Sequence, residues 1–83
     1  MVSLESLIDY LAERYQTLTT EERENADRWV EEGKSREFYE GMIEANCNAL
    51  KLFGPEPNPT ATAISMLSTR AAYLYRQSFP SEI

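Results

Sequence analysis

The chain is predicted to be all-α, a small bundle of three or four helices whose last helix is set off by a proline-rich spacer. Three observations predict it. Apolar residues recur at helical spacing in several separate windows. Ser3, Thr19 and Asn58 each stand immediately before such a window, as helix caps do. Pro55, Pro57 and Pro59 interrupt the pattern once, after Gly54, where no helix can continue.

Leu4, Leu7, Ile8, Leu11, Tyr15 and Leu18 fall on one face of a first helix over residues 4–16, with Ser3 as N-cap and Val2 and Leu7 placed for a hydrophobic staple. Thr19 and Glu22 have capping-box spacing and open a second helix reaching about residue 32. Its apolar stripe is thin, only Ala26, Trp29 and Val30, so Trp29 is expected to be its buried anchor. At about 100° per residue this stripe points roughly 140° away from that of Tyr39, Ile43, Asn46, Leu50 and Phe53. One straight helix cannot turn both to the same core, which predicts a break near Gly33; the alternative is one continuous helix that contacts two different partners.

The third helix, residues 36–53, carries Phe38, Tyr39, Met42, Ile43, Ala45, Leu50 and Phe53, with Gly54 as a left-handed C-terminal cap. Asn58-Pro59 then reads as N-cap and first-turn proline of a fourth helix to residue 78. Ile64, Leu67, Ala71 and Leu74 form its core stripe, and Thr62, Ser65, Ser68, Thr69 and Ala72 make its other faces small. Small faces permit close approach, so this helix is expected at the centre of the bundle or in an oligomer. Short connections between the earlier helices predict antiparallel neighbours.

Eighty-three residues predict one domain, burying about 60–65% of its unfolded surface. It divides into an acidic helical unit at 1–53, a Gly/Pro spacer at 54–59 and a final helix at 60–79. The first unit holds twelve Asp/Glu against six Lys/Arg, whereas the last holds Arg70 and Arg76 and no acid. A net charge of −6 disfavours direct binding to nucleic acid or anionic membranes. No apolar run reaches the roughly 18 residues of a membrane span. The first residues lack the pattern of a signal peptide, and Cys47 is the only cysteine, so a cytoplasmic protein is expected.

Histidine is absent, and with it the commonest acid–base group and the usual zinc and di-iron ligand sets. No phosphate loop or calcium-loop spacing occurs. The chain is therefore expected to be no enzyme and to carry no metal or cofactor. Cys47 lies late in its helix, the wrong end to stabilise a thiolate, and is read as a packing residue.

Two candidate surfaces remain. Met66, Arg70, Tyr73 and Gln77 share one side of the last helix, and Met, Arg and Tyr are enriched at protein interfaces. This side is either an interface or, equally, an ordinary packing face against a neighbouring helix with snorkelling arginines. Glu37, Glu40 and Glu44 form an acidic row on the third helix that either is simply solvated or imitates a run of phosphates. The leading expectation is an acidic adaptor or inhibitor that acts by contact with another protein or with a second copy of itself. The alternatives are a nucleic-acid mimic that blocks a DNA- or RNA-binding protein, and a structural subunit of a larger assembly.

Overall fold

The computed structural model describes residues 3–54 and 56–79. They form four α-helices: α1 (Leu4–Thr17), α2 (Thr20–Trp29), α3 (Arg36–Leu50) and α4 (Pro59–Ser78), with no strand among the described residues. Every helix begins on a side-chain cap. Ser3 Oγ accepts from the Ser6 amide, Ser35 Oγ from that of Phe38, and Asn58 Oδ1 from those of Thr60 and Ala61 at 2.8 and 3.2 Å. Thr19 and Glu22 close the predicted capping box, each accepting from the other's amide at 3.1 and 2.9 Å. These bonds occupy amides that the first turn of a helix otherwise leaves without partners. The predicted Val2–Leu7 staple lies outside the described residues.

The break between α2 and α3 is present. Gly33 takes a left-handed φ of +78°, a conformation that costs any residue with a Cβ, and the chain turns there. Gly54 is different from expectation, because Gly33 is the only described residue with positive φ. Instead of a glycine cap, α3 ends three residues early. The amides of Lys51, Leu52 and Phe53 bond the carbonyls three residues back, at 3.3, 3.0 and 3.2 Å. This tightening satisfies carbonyls at the helix end without a left-handed residue, and it turns Leu52 out to solvent.

α4 is the hub, packing against each of the other three helices, most extensively α1, whereas α1, α2 and α3 scarcely touch one another at the backbone. α1 runs antiparallel to it: Asp9 meets Arg76, and Tyr15 meets Tyr73 and Arg70. α2 returns beside it in the parallel sense, with Glu22 near Asn58 and Val30 at Arg70. The core joins Ile8 and Leu11 of α1, Val30, Tyr39 and Ile43 of α3, and Ala71, Ala72, Leu74 and Tyr75 of α4.

The small residues of α4 have the consequence foreseen for a central helix. Ser68, Thr69, Ala71 and Ala72 are all buried, and the hydroxyls of Ser68 and Thr69 donate to the Ile64 and Met66 carbonyls of their own helix at 3.0 and 2.6 Å. Internal satisfaction of this kind lets hydroxyls be buried at little cost. No described helix is long and apolar enough to cross a membrane.

Candidate protein-binding groove

Trp29 is not a core residue. Its side chain is 77% exposed at the last position of α2, while Ala26 and Val30 beside it are buried. The two buried positions are i and i+4 and lie about 40° apart around the helix, a strip narrow enough for α4 to cover; Trp29 falls outside it. The indole instead walls an open groove of about 390 Å³ between α2 and α4, lined also by Asn25, Ala26, Ala63, Met66 and Leu67. Apart from Asn25 every lining residue is apolar. Met66 is shared with a second depression of about 310 Å³, which continues toward Arg14, Leu18, Glu22 and Pro57. Thus the α2–α4 crevice runs from an apolar end at Trp29 to a mixed, charged end at Glu22.

The residues selected on α4 separate into three environments. Met66 is half-buried on the groove floor and Gln77 is exposed near the end of the helix. Tyr73 is half-buried, its ring stacked on Tyr15 with centroids 4.5 Å apart. Arg70 is 7% exposed and belongs to the interior. Its guanidinium lies 3.3 Å from Asp27 and 3.4 Å from Glu32, and donates to the Val30 carbonyl and the Tyr15 hydroxyl, both at 3.4 Å. Tyr15 in turn donates to Asp27 at 2.6 Å. Burial, and next the hydrogen bond to the Asp27 carboxylate, push the Tyr15 phenol above its ordinary value. Arg70 and Tyr73 therefore hold α4 to α1 and α2.

The acidic row is also divided. Glu37 and Glu44 are exposed. Glu40 is partly covered and accepts from Arg36 Nε at 3.0 Å and from the Tyr75 hydroxyl at 3.2 Å, so its charge is met within the molecule. The hydrogen bond to Glu40, followed by the one to Tyr75, raises the Arg36 guanidinium's value. Cys47 is half-buried against the core, and burial pushes its thiol up despite the opposing Lys51 ammonium. Among the described residues no group of three or more carboxylates or thiols is placed to hold a metal ion.

Comparison with protein-family models, curated proteins and solved structures returned no match. The residue that sequence reasoning assigned wrongly is Trp29, and a signal for it was present. Within Thr20–Trp29 no second large apolar residue shares a stripe with the tryptophan, and apart from Val30 the residues around it, Arg28, Glu31 and Glu32, are charged.

Proposed function

We propose that the chain is a small protein-binding module, an adaptor or inhibitor acting by contact rather than by chemistry, and that Trp29 with its groove is the contact point. One observation carries the reading: a tryptophan left in water beside a concave, nearly all-apolar surface. Tryptophan and methionine are enriched at protein interfaces, and a central aromatic beside a pocket commonly dominates the binding energy. The occupant that fits is a bulky apolar side chain from a partner protein, seated between the indole and Leu67 with Met66 beneath it. Met is suited to that floor because its unbranched chain adapts to different occupants.

The acidic-mimic alternative has weaker support, since Glu40 of its three glutamates is engaged by Arg36 and Tyr75. Crosslinked pull-downs with the parent, Trp29→Ala and a Glu37/Glu40/Glu44→Gln triple variant distinguish the two. On the groove reading Trp29→Ala loses the partner while the triple variant keeps it, with little response to added salt. Capture that survives Trp29→Ala but is lost, with its salt dependence, in the triple variant sinks the groove and leaves the mimic.

A further inference from the structure

The way α2 is fastened differs from the way the other helices are fastened. Ala26 is the only residue within α2 that is buried, and no residue of the helix belongs to the main apolar cluster, which Val30 joins just beyond its end. What holds α2 is polar. Asp27 is gripped by Arg70 and Tyr15, the Val30 carbonyl and Glu32 by Arg70, and the Glu31 carbonyl by the Tyr39 hydroxyl at 2.8 Å. The Arg70 contacts, at 3.3–3.4 Å, are at the long end of the hydrogen-bond range. Their carboxylate partners, Asp27 on α2 and Glu32 in the loop after it, also face water, the side chains being 43% and 76% exposed. Carboxylates so placed regain hydration readily when the contact parts.

At either end the helix has a feature suited to swinging as a body. The capping box keeps its first turn intact without help from other helices. At the other end helical geometry stops at Trp29, and Val30, the buried anchor, is already extended at φ −123° and ψ 107°, so the chain can pivot between the helix and its anchor.

We propose that α2 is a detachable cover over the Ala63–Arg70 stretch of α4, latched by Arg70, and that it opens as a unit while α1, α3 and α4 stay packed. Lifting α2 takes Ala26 off α4 and joins Ala63, Met66 and Leu67 into one apolar strip, to which the present groove is the entrance. Few buried apolar contacts and solvent-facing fastenings characterise segments that open locally. The opening does not depend on the groove's having a protein partner, so its test stands apart from that of the proposed function.

Native-state hydrogen exchange followed by mass spectrometry tests it, on the parent, Asp27→Asn and Arg70→Met. Asp27→Asn removes one charge from the exposed side of the latch while leaving an oxygen to accept from Tyr15. In the parent, the amides of residues 23–30 should exchange faster than those of residues 68–75. Asp27→Asn should accelerate residues 23–30 by about tenfold, the effect of weakening one charged hydrogen bond, and leave residues 68–75 unchanged. Arg70→Met should accelerate residues 23–30 further, and by a larger factor than residues 68–75. Equal protection of the two segments in the parent overturns the proposal. So does an Asp27→Asn variant that leaves residues 23–30 unaltered, or one in which both segments shift by the same factor, because α2 would then part from α4 only in global unfolding.

Discussion

Arg70 and Trp29 show how far a residue type can mislead about its place. Arginine is seldom buried unless paired, and tryptophan is usually well covered. Here Arg70 is inside, because four acceptors from α1, α2 and the loop after α2 converge on it, and Trp29 is outside, because the strip that α4 covers on α2 is one alanine and one valine wide. Trp29→Ala should therefore shift stability by no more than about 0.5 kcal/mol, as for a surface position, and urea denaturation of the variant checks this. Glu22 gives a pH-dependent counterpart. The Thr19 amide, and next the Thr19 hydroxyl, hold its carboxyl below the ordinary value of 4.5. A carboxyl depressed in the folded state stabilises the fold above its unfolded value, and that contribution is lost as pH falls through the folded value, since the unfolded chain then binds the extra proton. Stability should thus decline with acid below about pH 4.5 in the parent, and Glu22→Gln should decline less steeply over the same interval. Urea midpoints measured across that range supply the comparison.

At the scale of elements, the helix starts follow sequence more closely than the helix ends. A start needs one side-chain oxygen near two or three amides, a local matter that Ser3, Thr19, Ser35 and Asn58 each settle within four residues. An end depends on what the neighbouring chain does, and both α2 and α3 stop three residues before their periodicity suggests. The glycines then have different roles. Gly33 sits at φ +78° with open space around its α-carbon, so Gly33→Ala meets no steric neighbour and carries only the left-handed backbone cost, about 1–2 kcal/mol. Gly41 lies exposed inside α3, also with space around it. Gly41→Ala should stabilise by about 0.5–1 kcal/mol through the lower entropy of the unfolded chain. Opposite signs for these two variants in thermal melts are the expected outcome; a stabilised Gly33→Ala would contradict the turn.

Over the whole molecule, α4 does the work that a shared core does in larger bundles. Its buried Ser68, Thr69, Ala71 and Ala72 bring α1 and α3 close to one backbone. Arg70 and Arg76 tie it to acids of α1, α2 and the loop after α2, and the Tyr75 hydroxyl meets Arg36 and Glu40 of α3. Arg76 illustrates the balance: burial works against its charge, yet hydrogen bonds to Glu5 and Asp9 raise its value overall. Because Ala71 is fully buried, Ala71→Leu should force the neighbouring helices apart and cost about 1–3 kcal/mol. A loss below the scatter of the denaturation measurement would mean that α4 is less tightly enclosed than its burial implies. Tyr73 belongs to the same frame. Its stacking on Tyr15 means that a charge introduced there, as in Tyr73→Glu, disrupts the α1–α4 contact itself and lowers stability.

The sequence by itself determined the helices, the N-caps at Ser3, Thr19 and Asn58, the break at Gly33 and the central fitness of α4, because periodicity, capping and small side chains act within a few residues of chain. Only the tertiary structure decided which arginine was enclosed, where the single tryptophan stood and how α2 was fastened. Those outcomes depend on how wide a strip α4 covers on each neighbour, and on acceptors brought to Arg70 from positions as far as 55 residues away along the chain, and no local pattern contains either.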